Sequence, residues 1–381
     1  MKGFVVVRFP REYRYLVFAA LLLASLSASS DVYVKPHFGH PYIFHDRIVF
    51  TSVDGTHLIA IDKRGNLMWE IECPERILEQ KADEDRFFVQ CGRKVWQIDA
   101  EGKRSDLFTM PEFETLIVGD EDFLAAGDLR FDRKRLRIIN PLDYKTAWES
   151  STIESIVRVT PSTIVAVTAD RKYGRRDSYH LENGALAGFE RSTGRVRWSI
   201  PLSRPIGEIR SAVVGSFLAA LDSEWESAKL LILNPDTGDL LSQSTGRFVD
   251  LWPLDDSLAV LEDTQNGSEA DLFVCKLPQC TRGTPVRLQA KEMLRVRLYR
   301  DYIITAGIYD SACFERSTGK RLWEKGQLEW SEPFDDEMVI TDFSPKNQKA
   351  RIVSIDLSTG HESVLFTRTV TEHDRKNFRP W

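Results

Sequence analysis

Short runs of apolar residues alternate with polar turns along nearly the whole chain, and several turns share one sequence motif. The hexamer Phe-Glu-Arg-Ser-Thr-Gly occurs in GFERSTGRVRWSI (188–200) and again in CFERSTGKRLWEK (313–325), each time with a Trp four positions after the Gly. Polar side chains of this kind hydrogen-bond the turn backbone, and Gly supplies the positive φ that closes a hairpin. The pattern therefore predicts a strand, a tight turn and a second strand.

Variants of this turn recur about every 42 residues. The apolar residue before each turn marks seven copies: Ile61, Ile98, Ile139, Phe189, Leu233, Phe314 and Ile355. One interval, from Leu233 to Phe314, spans 81 residues and so indicates a disguised copy within 271–288. Short strands and Gly turns at this period are typical of β-propellers with four strands in each blade. We therefore predict an all-β fold, an eight-bladed β-propeller of four-stranded antiparallel blades.

The repeated motif, apolar-x-Asp/Asn-x-x-Thr-Gly-x-x-x-Trp, resembles the PQQ-like (quinoprotein-type) propeller repeat over residues 41–370. In length and plan the chain also resembles the propeller subunits of the outer-membrane β-barrel assembly machinery. That resemblance implies a non-catalytic scaffold that binds proteins in envelope or outer-membrane protein assembly. Quinoprotein dehydrogenases share a vicinal Cys pair over their cofactor. This chain has no adjacent Cys pair, so we expect no cofactor.

The first 30 residues differ from the repeats. Four basic residues within MKGFVVVRFPREYR precede the apolar run YLVFAALLLASL and the small residues SASS. This order is typical of a signal peptide, and the run is shorter than the roughly 20 residues of a membrane anchor, the alternative reading. We predict a signal peptide at 1–30, cleaved near Ser30, and one propeller domain at 31–381. The mature protein is then exported, periplasmic or secreted, with no stable membrane span.

Export permits disulfides, and the chain has five Cys. Cys275 and Cys280 occupy the hairpin position of the disguised copy, where a disulfide can replace the missing turn chemistry. Cys73 ends the outer strand of blade one, and Cys91 lies at the turn between the second and third strands of blade two. Those places share a face of a propeller, which favours an interblade disulfide. Two reduced thiols are the alternative at blade six, and Cys313 reads as a buried thiol within a strand.

The net charge and the absence of recognised motifs argue against several classes of function. The net charge of −6 argues against a nucleic-acid partner. No nucleophile elbow, phosphate loop or paired-carboxylate motif occurs in the sequence, so no catalytic residue is assigned. His37, His40 and His45 lie close together, but neither a Cys nor a carboxylate nearby completes a recognised metal motif. We therefore assign no metal site.

Three consecutive repeats carry long polar segments between their second and third strands, at 169–184, 222–229 and 262–271. Insertions of this kind form binding faces in repeat proteins. The candidate partner-binding residues are Arg171, Lys172, Arg175 and Arg176 in blade four and Trp225 in blade five. We predict that a monomer binds protein partners on this loop face of blades four to six. In the alternative reading Trp225 folds back on the propeller.

Two other functions stay open at this point. A ligand-binding or sensor propeller for sugar or peptide would show aromatic side chains at the mouth of its channel. An enzyme would show a pocket with perturbed carboxylates in the central channel.

Overall fold

The computed structural model describes residues 38–377, except 83–85, 113, 120–123, 129–134, 141, 174–178, 205–208, 224–226, 255, 265–268, 290–292, 308–309, 327, 329–330 and 345. The predicted signal peptide at 1–30 lies outside the described residues. The described chain forms eight antiparallel sheets that follow one another in sequence.

The first four blades contain sixteen strands. Blade one has β1 (Tyr42–Phe44), β2 (Arg47–Thr51), β3 (His57–Ile61) and β4 (Leu67–Glu72). Blade two has β5 (Ile77–Ala82), β6 (Phe87–Cys91), β7 (Lys94–Ile98) and β8 (Arg104–Thr109). Blade three has β9 (Glu114–Gly119), β10 (Leu124–Asp128), β11 (Leu136–Ile139) and β12 (Thr146–Ser150). Blade four has β13 (Ile153–Val159), β14 (Thr163–Tyr173), β15 (Tyr179–Glu190) and β16 (Val196–Pro201).

The second half continues the plan. Blade five has β17 (Arg210–Val214), β18 (Phe217–Ser223), β19 (Ala228–Leu233) and β20 (Leu240–Gly246). Blade six has β21 (Phe248–Leu254), β22 (Ser257–Asp263), β23 (Glu269–Lys276), β24 (Thr281–Arg282) and β25 (Val286–Gln289). Blade seven has β26 (Met293–Tyr299), β27 (Tyr302–Gly307), β28 (Asp310–Glu315) and β29 (Arg321–Gly326). Blade eight has β30 (Ser331–Phe334), β31 (Glu337–Ser344), β32 (Lys349–Asp356) and β33 (Glu362–Thr369), followed by the short helix α1 (Glu372–Asn377).

Within each blade the strands pair in chain order, and the first strands of several neighbouring blades lie beside one another at the centre of the ring. Each fourth strand is an outer edge. In blade six that outer strand is divided into β24 and β25, both paired with β23. The predicted eight-bladed propeller of four-stranded antiparallel blades is confirmed.

The hydrophobic core consists of eight clusters, one between each pair of neighbouring blades. Successive residues of one strand serve different clusters. In β14, Ile164 and Ala166 pack toward blade three, whereas Val165 and Val167 pack toward blade five. Because both faces of a blade are covered, the buried parts of its middle strands contain consecutive apolar residues, as in residues 164–167 of β14.

The recurrent Trp residues lie between blades. Each indole Nε1 donates to a carbonyl in the third-to-fourth-strand turn of the next blade: Trp69 to Ala100 (3.2 Å), Trp148 to Arg191 (2.8 Å), Trp198 to Pro235 (3.2 Å) and Trp323 to Leu357 (2.9 Å). The turn Gly of that next blade lies against the ring, so closely that a Cβ there would come within 3.0 Å of it. The Gly therefore allows both the positive φ and the close approach of the indole.

Among the described residues, side-chain contacts join blades eight and one and so close the ring. Phe38, Phe50 and Ile61 share a buried cluster with Phe343 and Ile352. At the outer rim, Arg368 pairs with Glu70 at 2.9 Å. All four strands of blade eight come from its own segment, 331–369.

Two disulfides are present, at the positions that the sequence indicates. Cys73 and Cys91 join blade one to blade two with a Cα–Cα distance of 5.8 Å, and Cys275 and Cys280 close the blade-six hairpin at 4.7 Å. Cys280 has a φ of 48° and donates its N–H to the Lys276 carbonyl at 2.9 Å. Gly238 makes the same bond in blade five. The disulfide hairpin thus occupies the place of the Gly turn. Cys313 is a buried free thiol.

In the part of the chain that the structure describes, no helix has the length and apolar character needed to cross a membrane.

Candidate functional site: the extended face of blades four to six

A two-stranded arm stands out from blade four. Strands β14 and β15 have 11 and 12 residues, longer than every other described strand. Their pairing continues outward from the blade as far as Tyr173 opposite Tyr179. The prediction of a long loop at 169–184 is therefore wrong in form, because most of this segment extends the blade's own hairpin.

A β-bulge separates the arm from the blade. The register of β14 against β15 shifts between Thr168 and Asp170, and Asn183 adopts a positive φ of 52°. The Asn183 side-chain amide donates to the Asp170 carboxylate at 2.8 Å. Ala169 donates its N–H to the Thr152 carbonyl, in the connection that enters the blade. Bulges redirect strands at sheet margins, so the residues beyond Ala169 lie outside the blade.

In blade five the buried carboxylate of Asp222 anchors the second-to-third-strand connection. It accepts the Ser203 N–H at 2.9 and 3.0 Å and the Ser203 hydroxyl at 2.6 Å, and the Lys229 ammonium lies 4.0 Å away. Ser203 belongs to the connection that enters blade five. The ends of β18 and β19 are therefore fixed on the same face as the arm.

In blade six polar contacts hold the corresponding connection. Arg247 pairs with Asp263 at 2.9 Å. Thr264 donates its N–H and its hydroxyl to the Glu269 carbonyl, at 3.2 and 2.7 Å. Blades four, five and six are consecutive, and in each of them the second-to-third-strand connection emerges on this face. We call this surface the extended face.

The structure locates only some of the predicted partner-binding residues. Arg171 and Lys172 lie in the arm, paired in register with Leu181 and His180. Arg175, Arg176 and Trp225 lie outside the described residues. The binding role of all five stays a prediction.

A second polar group lies where blades seven, eight and one meet. Glu332 accepts a hydrogen bond from Arg297 (Nη1–Oε2, 2.9 Å) and contacts His40 (Nε2–Oε1, 2.9 Å). Burial alone raises the pKa of Glu332, but the His40 hydrogen bond and the Arg297 charge outweigh burial and lower it overall. These residues lie on or before the first strands and couple three blades at the inner edge of the ring. The sequence did not indicate this group.

The pKa of Asp250, on first strand β21, is raised above its ordinary value. Burial is the main cause, opposed by the Leu251 N–H at 2.9 Å and by Arg210 at 3.9 Å. It belongs to blade six, whereas Glu332 belongs to blade eight. Among the described residues, no group of three or more His, Cys, Asp or Glu side chains is placed to hold a metal ion.

Known proteins with similar sequence or structure point to one family and one fold. The family model described as outer membrane protein assembly factor BamB matches residues 27–220, about half of the chain. The computationally designed protein Ika8 aligns with 87% of this chain and 96% of its own, at 11% identity and a TM-score of 0.55. A prolyl endopeptidase aligns with 94% of this chain and 55% of its own, at 11% identity and a TM-score of 0.54.

BamB from Moraxella catarrhalis aligns with 71% of this chain and 82% of its own, at 14% identity and a TM-score of 0.43. No curated protein matches the sequence. At these identities the likeness of Ika8 and the endopeptidase shows the propeller fold alone.

Proposed function

The chain belongs to the family of outer membrane protein assembly factor BamB, and from this premise we propose that it is a non-catalytic scaffold that binds proteins during outer-membrane protein assembly. The eight interblade clusters and the Trp contacts use the faces of the blades for packing. Binding partners is then the task of the connections and the rim.

We place the mature protein in the periplasm. Disulfides form and persist in oxidising compartments, and two are present here. The basic, apolar and small-residue order of residues 1–30 supports export through a cleaved signal peptide.

The observation that carries the choice of surface is the β14–β15 arm. It projects beyond blade four on the side where blades five and six present their own connections. Arg171 and Lys172 lie on it, Arg175 and Arg176 follow in sequence, and the connection of blade five contains Trp225. Arg and Trp are enriched among the residues that contribute most to protein–protein binding. We assign the partner site to the extended face.

A complementation experiment in the organism that encodes the chain tests this proposal. Deleting the gene should lower the amount of folded β-barrel protein in the outer membrane, measured by heat-modifiable mobility in electrophoresis. The wild-type gene should restore it. A variant with Arg175, Arg176 and Trp225 changed to Ala should restore less than half.

The matched control carries Arg64→Ala, Arg195→Ala and Lys320→Ala. These three exposed residues lie in third-to-fourth-strand turns, on the opposite face of the ring. This control should complement fully. Unchanged β-barrel levels after deletion would refute the assembly role. Full complementation by the extended-face variant would refute the surface assignment alone.

A further inference from the structure

The outer strand of each blade has an unpaired edge, and such edges are usually protected against pairing with another chain by charged side chains. Seven blades follow this rule, with Asp, Glu, Lys or Arg in the outer strand: Glu70 and Glu72, Arg104 and Asp106, Glu149, Arg197, Arg282 and Arg287, Arg321, Glu324 and Lys325, and Glu362 and Arg368. Strand β20 of blade five, LLSQSTG, contains no charged residue. Its edge lacks the usual protection.

Strand β20 also exposes apolar surface. Leu240 and Leu241 are 47% and 44% exposed. Among the described strands, β20 pairs with β19 alone. At the position where blades one, three, four and seven have a Trp, β20 has Ser242, which donates to the Gln279 carbonyl at 3.4 Å. Seven residues in extended conformation form a free edge about 24 Å long.

The residues that flank β20 carry opposite charges at equal distances from its centre. Asp239 precedes the strand and Arg247 follows it, each four residues from Gln243, and both are exposed. If two copies of β20 pair antiparallel about Gln243, Asp239 of each copy lies opposite Arg247 of the other. The same register places Leu241 opposite Thr245. An isologous interface needs such self-complementarity.

We propose that the chain forms a two-fold symmetric dimer in which β20 of one copy pairs with β20 of the other about Gln243. Blade five of each copy then joins one continuous sheet of eight strands. The rim of a propeller is convex, so the two rings meet at these blades. This replaces the sequence-based expectation of a monomer with an equilibrium between monomer and dimer.

We expect the dimer to be weak for two reasons. One strand pair buries less than the roughly 1,200–2,000 Å² of a standard interface. Arg247 must also share its charge between Asp263, at 2.9 Å, and the partner copy. We therefore expect the dimer to form only at high protein concentration.

Sedimentation analysis of the mature chain between about 1 and 300 µM tests the dimer. The weight-average mass should rise toward twice the monomer mass. Gln243→Lys brings two ammonium groups together at the two-fold axis and should raise the dissociation constant by up to about fivefold. Its matched control is Ser199→Lys, at the same position relative to the repeat in β16 and also exposed. Ser199→Lys should leave the constant unchanged.

The register has its own test. Asp239→Arg and Arg247→Asp should each weaken the dimer, and the double variant should restore it. Gln243→Cys should form a disulfide-linked dimer when two thiols are oxidised by diamide, because directly paired residues lie about 4.5–5.5 Å apart between Cα atoms. Ser199→Cys should not. Thermal melts confirm that each variant is folded.

The proposal is overturned if the chain stays monomeric at every concentration. This holds even if β20 pairs with a strand of a different protein. A dimer that Gln243→Lys and Ser199→Lys affect equally also overturns the proposal. The register is overturned if the double charge variant does not restore the dimer and Gln243→Cys forms no crosslink. None of these outcomes depends on the partner site of the extended face.

Discussion

The contact between Gly360 and Trp323 offers a direct measure of what holds neighbouring blades together. Gly360 has a φ of 72°, and a Cβ added there would lie 2.8 Å from Trp323 Cγ and 3.0 Å from Cβ and Cδ1. Gly215 has a similar φ of 56°, but an added Cβ would meet nothing within 4 Å. An Ala at either position bears the backbone strain, and only the Ala at 360 presses on an indole.

The magnitudes follow from these two terms. An L-residue in the left-handed region costs about 1–2 kcal/mol, which is the whole expected effect of Gly215→Ala on the free energy of unfolding. Overpacking a filled site adds about 1–3 kcal/mol, so Gly360→Ala should cost about 2–5 kcal/mol. Trp323→Ala removes a buried ring and should cost about 3–5 kcal/mol. In the double variant the ring is gone, and the combined loss should fall short of the sum by about 1–3 kcal/mol.

Guanidinium unfolding followed by far-UV circular dichroism measures the wild type and all four variants without relying on Trp fluorescence. The reasoning is refuted if Gly360→Ala destabilises the protein no more than Gly215→Ala. Strict additivity of Gly360→Ala and Trp323→Ala would refute it equally, because the clash would then not involve the indole.

Three further measurements address the disulfides, the inner-edge ion group and the free thiol. Replacing Cys73 and Cys91 by Ala should lower the free energy of unfolding by about 3 kcal/mol, and removing the blade-six disulfide should lower it by about 2 kcal/mol. The difference arises because the sequence separations are 18 and 5, and a disulfide that closes a longer loop removes more entropy from the unfolded chain. Equal losses in guanidinium unfolding would contradict this explanation. The lowered pKa of Glu332 stabilises the fold above its ordinary value of 4.5, and this contribution is lost as pH falls through the lower folded pKa. Between pH 5 and pH 3 the melting temperature of Glu332→Gln should therefore fall less than that of the wild type; parallel curves would contradict this. Burial raises the pKa of Cys313 to about 12, so iodoacetamide should label this thiol only after unfolding; rapid labelling of the native protein would contradict its burial.

The sequence was sufficient for the repeat because the turn chemistry is local. An Asp or Asn, a Gly and a following Trp lie within a few residues of one another, and together they identify the hairpin that contains them. The disguised copy in blade six was found by its spacing, and its two Cys residues suggested how the missing turn could be replaced. In the structure Cys280 takes the backbone conformation that Gly takes elsewhere.

The arm and the inner-edge group escaped sequence reasoning for different physical reasons. Beyond Ala169 the residues of β14 are mostly polar, so no apolar periodicity marks them as strand. The aromatic pair Tyr173 and Tyr179 was the available signal, since aromatic residues favour strands and lie opposite each other here. His40 and Glu332 are 292 residues apart. Their contact exists because the closed ring brings blade one beside blade eight, and no local sequence pattern in either segment predicts it.

Blades two, five, six and eight lack the interblade Trp, and Asp106 and Val364 take its position in blades two and eight. Blade five has Ser242 in place of the interblade Trp, and blade six has a disulfide in place of the Gly turn and an outer strand divided in two. A Trp at this position holds one blade against the next, so its loss must be offset, and the cluster joining Leu230 and Ile232 to Leu258 and Val260 keeps this interface packed. With the Trp absent and charges excluded, β20 becomes the one outer strand whose edge can accept another strand without burying a charge. The same blade contributes to the extended face through its second-to-third-strand connection. Among the described residues, Gln243 has no contact with the extended face, so Gln243→Lys can disrupt self-association at the rim without disturbing partner binding at that face.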